Sequence, residues 1–256
     1  MDKLNGNPTL ILGDCFNAMD MLLANGIKAD AIIIDPPYGV LNKRCTWDKA
    51  FDLEKMLSYC YKMRRNENTP IIIFSQEPFT SELIVKDREK FGGRFKYKWY
   101  WQKTQATGHL NANKQPLRCV EEILVFYEKQ CLYNPQKTYG HSPVHSYTKY
   151  LDTVNKSVVY GETNKEISGG GNTDRFPRNL ITFKSDKQTN YLHPTQKPVD
   201  LLTYLIATYT NPSDTVLDFC MGSGTTGEAA LKNCRKFIGV ENNEEYYKIA
   251  KERLME

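Results

Sequence analysis

The segment AIIIDPPY, residues 31–38, joins a purely apolar run to an abrupt polar end. Such a run is typical of a strand that is buried on both faces of a sheet, as in parallel sheets. Pro36 and Pro37 have no N–H to donate to a neighbouring strand, so the strand cannot continue through them. The segment therefore predicts a central strand with the Asp35 carboxylate at the carboxyl-terminal edge of a sheet.

A βαβ unit is predicted around this strand. The short β-like run Thr9–Leu12 comes before it, and Phe16, Met19, Leu22 and Leu23 lie between the two runs at helical spacing. Two parallel strands need a helical crossover of this kind.

The alternation of strands and helices continues along the chain and returns near its end. Strands are predicted at Ile71–Ser75, Phe95–Trp101, Glu122–Tyr127, Thr215–Phe219 and Phe237–Val240, and helices at Leu53–Arg65, Ser81–Lys90, Pro198–Tyr209 and Glu228–Asn233. The second and third of these strands are expected to pair as a hairpin-like edge. This order predicts an α/β fold with a doubly wound sheet.

Residues 131–192 interrupt this pattern. They are rich in Tyr, Asn, Ser, Gly and Lys, they contain three consecutive glycines, and they show no sustained hydrophobic period. We interpret them as an inserted subdomain between a first part of the core, residues 1–130, and a second part, residues 193–256.

The composition of the 256 residues, with 40% hydrophobic and 25% charged, is that of an ordinary globular protein. No apolar run approaches the ~20 residues of a membrane span, and the first residues do not resemble a signal peptide, so a cytoplasmic location is expected. The seven cysteines form no Cys-x-x-Cys pair, so neither a disulfide framework nor a metal site is indicated. The net charge of +4 is too small to imply a nucleic-acid partner by itself.

Positive charge is concentrated between residues 94 and 118, where there are six basic side chains and no acidic one. Within it, Arg94-Phe95-Lys96-Tyr97-Lys98-Trp99 alternates cations and rings, which would project from opposite faces of a strand. Either this basic stripe binds phosphates, or the strand simply has one solvated and one buried face.

The motif Asp218-Phe219-Cys220-Met221-Gly222-Ser223-Gly224-Thr225 lies where a predicted strand turns into a helix. Glycines let the backbone approach a ligand closely, and the free N–H groups at a helix start favour an anionic group. Glu241 ends the next strand, at the position from which a carboxylate grips ribose hydroxyls in dinucleotide folds. This combination indicates a nucleoside-containing cofactor, and a glycine turn of purely structural use is the alternative.

The motif Asp35-Pro36-Pro37-Tyr38 suits the chemistry of an amino group. Because prolines donate no N–H, the carbonyls and the Asp35 carboxylate form a row of acceptors. An exocyclic base nitrogen is a poor nucleophile, and two acceptors that hold its hydrogens would aim its lone pair at an electrophile. Tyr38 would then stack on the base. A proline turn that only caps the strand is the alternative.

In this order, the two motifs resemble those of the amino-methylating DNA methyltransferases of the beta arrangement, and the resemblance extends over nearly the whole chain. Gly13-Asp14 is similar to the family's acidic position near the cofactor adenine. His193-Pro194-Thr195-Gln196-Lys197-Pro198 is similar to the segment that holds the cofactor's methionine end. The blocks at 101–103, 110–113, 116–118 and 121–126 also resemble the family. The chain departs from the family at Phe219-Cys220, where Pro-Phe is common, and at Val120, where a histidine is frequent.

The resemblance implies a Rossmann-like methyltransferase sheet, mostly parallel with one antiparallel strand, and S-adenosyl-L-methionine as the cofactor. It implies a catalytic part at 1–130, a target-recognition segment at 131–192 and a cofactor-binding part at 193–256. The implied catalytic residues are Asp35, Pro36, Pro37 and Tyr38. The implied cofactor-binding residues are Asp14, Asp35, His193, Thr195, Lys197, Asp218, Phe219, Cys220, Gly222, Ser223, Gly224, Thr225, Glu241 and Asn242.

The implied substrate is a specific sequence in double-stranded DNA, whose target base must be flipped because a stacked base cannot reach such a crevice. The candidate DNA contacts are Trp47, Lys103, Asn111, Lys114, Arg118, Arg175 and Arg178. Trp47 is equally well explained as the anchor of a loop, His193 as a cap, and the last two arginines as solvated side chains. A homodimer and a cognate restriction endonuclease are further partners that the resemblance allows.

The expected target is N6 of adenine, because cytosine-specific relatives more often carry Ser at the position of Asp35. N4 of cytosine is the main alternative. An RNA or protein methyltransferase would generally place the cofactor motif first. A non-catalytic DNA-binding module would not need intact Asp35, Asp218, Glu241 and Lys197.

Overall fold

The computed structural model describes residues 8–39, 51–150, 156–157, 161–162, 166–185 and 196–255, and for residues 147–168 it describes only the backbone. The chain divides into two compact units, Met1–Asn134 with Asn179–Glu256, and Pro135–Arg178. The smaller unit is narrower than the insertion predicted at 131–192. None of the described helices is long and apolar enough to cross a membrane.

The larger unit is built on an eight-stranded sheet in which only one strand runs against the others. Its spatial order is β1 (Thr9–Leu12), β12 (Lys236–Glu241), β11 (Thr215–Asp218), β2 (Ala31–Ile34), β3 (Ile71–Ser75), β5 (Arg118–Phe126), β4 (Phe95–Thr107) and β10 (Leu180–Phe183). β5 is antiparallel to both of its neighbours, and the other neighbouring pairs are parallel. The predicted mostly parallel sheet with one antiparallel strand is confirmed.

Helices cover both faces of this sheet. One face carries α1 (Cys15–Ala24), α2 (Leu53–Met63) and α3 (Phe79–Phe91), and the other carries α4 (Val199–Tyr209), α5 (Thr225–Lys232) and α6 (Glu244–Met255). Ile32 and Ile34 pack on the first face and Ile33 on the second, as the two-residue period of a strand requires. Burial of each such side chain contributes about 1.5–3 kcal/mol, which explains an unbroken apolar run between two helical layers.

The central strands β2 and β11 lie side by side, with Val216 opposite Ala31 and Leu217 opposite Ile32. From β2 the chain moves to β3 on one side, whereas from β11 it moves to β12 on the other. A crevice opens where the two directions diverge, at the carboxyl ends of both strands. The predicted neighbourhood of these two strands is confirmed.

Two elements differ from the sequence-based prediction. β4 and β5 pair as expected, but they do not form an edge, because β10 adds to β4 in parallel with Ile181 opposite Trp101. β10 falls inside the predicted insertion, yet Ile181 is buried in the core of the larger unit. α6 was not predicted, since only Ala250 and Leu254 of this charged helix are buried and its apolar period is weak.

The smaller unit contains two short antiparallel pairs. These join β6 (Tyr147–Tyr150) to β9 (Glu166–Gly169) and β7 (Lys156–Ser157) to β8 (Gly161–Glu162). An isolated antiparallel bridge between Thr138 and Arg175 brings together the first and last parts of the unit.

Candidate active site

A cavity of about 740 Å³ lies at the carboxyl ends of the central strands. Its lining comes from the segments that follow β1, β2, β11 and β12, together with residues of β4 and β5. The volume lies within the range of about 300–1,000 Å³ that is typical of small-molecule sites. Both motifs singled out in the sequence therefore open into one space.

Most of the predicted catalytic and cofactor-binding residues line this cavity. They are Asp14, Asp35, Pro36, Pro37, Tyr38, Lys197, Asp218, Phe219, Cys220, Gly222, Ser223, Thr225, Glu241 and Asn242. Gly224 is the residue immediately before α5. Trp47, His193 and Thr195 lie outside the described residues.

The glycine turn between β11 and α5 has the backbone conformation that its sequence predicts. Gly222 and Gly224 adopt φ values of 51° and 79°, in the left-handed region that favours glycine. A Cβ at Gly224 would also lie 3.1 Å from the Ala250 Cβ, which is closer than ordinary contact. The turn therefore brings bare backbone to the cavity at the start of a helix.

Asp218 is buried beneath this turn and holds it in place. Its Oδ1 accepts the Cys220 N–H at 2.9 Å, and its Oδ2 accepts the Thr226 hydroxyl at 2.6 Å. Burial raises the pKa of Asp218 to about 7, although both hydrogen bonds act in the opposite direction. The loss of hydration therefore outweighs the hydrogen bonds in setting the charge of this carboxyl group.

Glu241 ends β12 and faces the same turn. Its Oε2 accepts the Gly222 N–H and its Oε1 accepts the Asn243 N–H, both at 2.9 Å. Burial raises the pKa of Glu241 in spite of these bonds. Because each carboxylate oxygen can accept more than one hydrogen bond, the group is fixed in direction and can still bind a ligand hydroxyl.

Asp14 has a structural task besides its place in the cavity wall. Its Oδ1 caps α1 by accepting the N–H groups of Phe16 and Asn17 at 3.0 Å. Just before it, Gly13 donates its N–H to the Glu241 carbonyl at 2.9 Å. This bond ties the end of β1 to the end of β12, so Asp14 lies on the same side of the cavity as Glu241.

Asp35 is held by two side chains. The Tyr38 hydroxyl donates to its Oδ1 at 2.8 Å, and the Lys197 ammonium donates to its Oδ2 at 2.6 Å. The Tyr38 ring lies 5.0 Å from the Phe79 ring with a tilt of 40°. The predicted orienting carboxylate is therefore itself oriented before any ligand arrives.

Lys197 connects Asp35 to a second pair of charges. Its Nζ lies 3.5 Å from the Glu121 Oε2 and 5.1 Å from the centre of the Phe74 ring. The other oxygen of Glu121 forms an ion pair with Lys103. Asp35, Lys197, Glu121 and Lys103 thus form a row of alternating charges along one wall of the cavity.

The surroundings keep both central members of this row charged. Burial alone lowers the pKa of Lys197, but the nearby carboxylates of Asp35 and Glu121 outweigh burial and raise it. For Glu121, burial favours a higher pKa, but the ammonium groups of Lys197 and Lys103 dominate and lower it. Lys197 and Glu121 therefore face each other as an ammonium group and a carboxylate.

This row was not predicted from the sequence. Lys197 was expected to bind the cofactor and Lys103 to bind DNA, and Glu121 had no predicted role. Opposite charges on separate strands become neighbours only through strand register. Here Glu121 of β5 lies opposite Trp101 of β4, and Lys103 is two residues further along β4. A register of this kind has no local sequence signal.

Gln196 is a further residue that the prediction left without a role. Its side chain lines the cavity and the residue is only 5% exposed. Among the described residues, neither its amide nitrogen nor its amide oxygen has a hydrogen-bond partner. Buried polar groups are rarely left unpaired, so this amide is a candidate contact for a polar ligand in the cavity.

Three of the six basic residues between 94 and 118 form ion pairs within the described part of the fold. Arg94 contacts Glu128 at 2.9 Å, and Lys98 and Lys103 form ion pairs with Glu122 and Glu121. The alternating strand has its tryptophans at 99 and 101 buried in the core. The alternating part of the stripe, residues 94–99, thus has the half-buried pattern that was the alternative to phosphate binding.

The connection between β4 and β5 carries the more accessible candidates for DNA contact. Asn111, Lys114 and Arg118 are all exposed. Arg118 also lines the cavity, where its Nη1 lies 3.4 Å from the Gln76 Oε1.

The two arginines of the smaller unit have different surroundings. The Arg175 guanidinium is half-buried and donates to the carbonyls of Asn172, Asp174 and Ser142 within its own unit. Arg178 is exposed. Arg175 therefore has an evident structural task, which Arg178 lacks among the described contacts.

The fold and the crevice define an α/β enzyme with a cofactor site and a row of acceptors at the switch point of its sheet. Residues 29–252 match the model of the DNA methylase family. The chain belongs to this family of DNA amino-methyltransferases, as its two motifs predicted.

Two curated relatives match along nearly the whole chain. DNA adenine methyltransferase YhdJ of Escherichia coli (strain K12) is 29% identical over 98% of this chain and 83% of its own length. The type II methyltransferase M.HpaI of Haemophilus parainfluenzae is 30% identical over 96% of this chain and 73% of its own length.

Solved structures show the same fold. The complex of M1.HpyAVI with SAM superposes with a TM-score of 0.65 at 28% identity, covering 96% of this chain and 98% of that one. The cytosine-N4-specific PvuII DNA methyltransferase has a TM-score of 0.63 at 15% identity, covering 98% and 87%, and shows the fold alone.

Proposed function

We propose that this protein transfers the methyl group of S-adenosyl-L-methionine to N6 of adenine, in a specific sequence of double-stranded DNA. The observation that carries the proposal is that the Asp35 motif and the Glu241 site open into one cavity of about 740 Å³. Methyl transfer needs donor and acceptor held together in a near-attack geometry. The similarity to DNA adenine methyltransferase YhdJ over 98% of the chain supports the choice of adenine.

The residues present fit the proposed cofactor. Glu241 is positioned to accept hydrogen bonds from ribose hydroxyls, and Asp14 lies on the same side, where the adenine end would be. The unpartnered Gln196 amide can both donate and accept, as the polar methionine end requires. When bound, the cofactor supplies a methyl group on a sulfonium, which already carries the driving force of the reaction.

The protein's task is then to orient the amino nitrogen. Asp35 and the Pro36 carbonyl accept hydrogen bonds from its two N–H groups. This turns the nitrogen lone pair towards the cofactor side of the cavity. The Tyr38 ring covers the base, in partial exchange for the stacking that is lost when the base leaves the helix. Asp35 acts here by orientation and hydrogen bonding.

DNA binding is proposed for the β4–β5 connection, through Asn111, Lys114 and Arg118, which are exposed there. Trp47, Arg175 and Arg178 stay predictions of the sequence. Lys103 is a weaker candidate, because its ammonium is paired with Glu121 and its side chain is only 15% exposed. A homodimer, a cognate restriction endonuclease and a cytoplasmic location also stay predictions.

One assay tests the substrate and the reaction together. The protein is incubated with methyl-labelled S-adenosyl-L-methionine and mixed-sequence duplex DNA, and the DNA is digested to nucleosides. We expect label in N6-methyladenosine, at one recurring sequence. Label in N4-methylcytosine would select the second candidate, cytosine. Label in RNA or protein substrates with none in DNA, or no transfer at all, would contradict the proposal.

A further inference from the structure

We propose that Glu121 is a positioning residue for methyl transfer, which acts through Lys197 to fix the carboxylate of Asp35. The proposal rests on the proposed function, because it assigns Asp35 to the target amino group. Glu121 is not expected to touch either substrate. Its effect is on the direction in which Asp35 presents its acceptor oxygens.

The contacts form a continuous path. Lys103 pairs with one oxygen of Glu121, the other oxygen lies 3.5 Å from the Lys197 Nζ, and that ammonium donates to Asp35 at 2.6 Å. The side chains of Lys197, Lys103 and Glu121 are only 10%, 15% and 18% exposed. Charges that are shielded from water interact more strongly than ion pairs on the surface, and they have few alternative partners.

The position of Lys197 depends on a balance between two carboxylates. Among the described residues, Glu121 Oε2 is buried without a hydrogen-bond partner, so its attraction to Lys197 is electrostatic. Removal of the Glu121 charge takes away the second attraction on the Lys197 ammonium and leaves Lys103 without its ion pair in the same wall. We expect Lys197 to shift away from residue 121 towards Asp35, and the Asp35 carboxylate to turn with it.

The neighbouring residue provides a matched control. Glu122 follows Glu121 on β5, so its side chain points to the other face of the strand. It too pairs with a lysine of β4, Lys98, and its other oxygen accepts the Thr80 hydroxyl at 2.6 Å. Glu122 is absent from the described lining of the cavity, whereas Glu121 is part of it. The two residues differ in their connection to Asp35.

The experiment compares Glu121→Gln with Glu122→Gln in the full chain. We expect Glu121→Gln to lower the single-turnover rate of methyl transfer about 10-fold to 100-fold, as small misplacements of reacting groups do. Its affinity for S-adenosyl-L-methionine should stay within about threefold of the wild type. Glu122→Gln should keep the wild-type rate, and Glu121→Asp should recover part of the loss.

A double variant separates positioning from folding. Glu121→Gln leaves Lys103 as a buried, unpaired charge, so Lys103→Met with Glu121→Gln should regain thermal stability while the rate stays low. A crystal structure of Glu121→Gln should show the Lys197 Nζ displaced away from residue 121 and towards Asp35, with the Asp35 carboxylate turned. If the wild type methylates no substrate, the proposed function fails, and this displacement still decides the role of Glu121. A wild-type rate in a folded Glu121→Gln variant, or an unmoved Lys197, would overturn the inference.

Discussion

The carboxylates on the two walls of the cavity have different partners. On the cofactor wall, Asp218 and Glu241 are held by N–H and hydroxyl donors, and burial raises the pKa of both. On the acceptor wall, Asp35 and Glu121 are paired with lysines, and the pKa of Glu121 is lowered. The first wall leaves the Glu241 carboxylate open to a ligand and holds Asp218 beneath the glycine turn, whereas the second wall fixes its carboxylates by charge.

This difference follows from what each wall has to do. A carboxylate that binds hydroxyl groups of a ligand is best left without a competing cation, even though its burial then destabilises the charged form. A carboxylate that orients a reacting nitrogen must not rotate, and a buried ion pair restrains it. The comparison therefore predicts that changes in the two walls affect different steps.

The largest effect is expected from Asp35→Ala. Methyl transfer should fall at least about 1,000-fold, because the lost interaction is made in the transition state, while the affinity for S-adenosyl-L-methionine changes little. Tyr38→Phe, which keeps the ring and removes one hydroxyl, is the milder companion variant. Single-turnover assays and cofactor titrations check both. If Asp35→Ala abolished cofactor binding as well, the two walls would not be separate.

The opposite pattern is expected from Glu241→Ala. The cofactor affinity should drop about 10-fold to 100-fold, seen as a smaller rise in Tm at a given concentration of S-adenosyl-L-methionine. At saturating cofactor, the rate should recover most of its wild-type value. Glu244→Ala is the control, because its side chain is 68% exposed on α6 and pairs with Lys248 in the next turn of that helix. Equal Tm shifts for the wild type and Glu241→Ala would remove Glu241 from the cofactor site.

The raised pKa of Asp218 predicts how stability depends on pH. Because burial raises this pKa from 3.8 to about 7, its contribution to stability is full below pH 3.8 and is lost as pH rises through about 7. Asp218→Asn carries no such charge. The difference in Tm between the variant and the wild type should therefore change by about 5 °C in favour of the variant between pH 5 and pH 8.

A residue with the opposite environment is the control for this trend. Burial raises the pKa of Glu228, but Lys232 and Arg253 outweigh it, so the net pKa is below 4.5. The stability that Glu228 contributes is lost only as pH falls below about 4.5. Glu228→Gln should therefore show no trend relative to the wild type between pH 5 and pH 8. A similar trend in both variants would assign the effect to other groups.

The smallest effects are expected from the arginines of the smaller unit, where the contrast is between a paired and an exposed cation. Arg175→Ala should lower the stability of this unit, because three carbonyls lose their donor. Arg178→Ala should leave stability unchanged. If Arg178 contacts a phosphate, its loss weakens DNA binding evenly across sequences and flattens the salt dependence, and a base contact relaxes specificity at one position by ~1–3 kcal/mol. Unchanged affinity, salt response and specificity would make Arg178 a surface residue.

The fold was predictable wherever one segment contains its own signal. The local sequence predicts the conformation of both the apolar run of β2 and the glycine turn after β11, and both predictions are confirmed by the structure. β10 was not predictable, because its four residues are buried only at Ile181 and its partner β4 lies far back in the chain. Its assignment to the insertion shows that composition describes a region, whereas sheet pairing depends on individual residues.

The site divides in the same way. Asp35, Asp218 and Glu241 each follow a predicted strand, so a general rule about sheet edges places them together. The partnership of Glu121 with Lys103 depends on strand register, and the register of β4 and β5 shifts between Gln102 and Thr107. No local pattern encodes such a shift, so this pairing can be recognised only in three dimensions.

In the free protein, the Tyr38 hydroxyl donates to the Oδ1 atom of Asp35, so it competes with the target amino group for that oxygen. An amino group that arrives at the Oδ1 atom of Asp35 exchanges one hydrogen bond for another, so little net energy is gained or lost at that oxygen. When the methylated base leaves, the hydroxyl can return to the same oxygen of Asp35. The hydroxyl thus restores the same arrangement of Asp35 after each turnover, so this oxygen adds little to the affinity for substrate or for product.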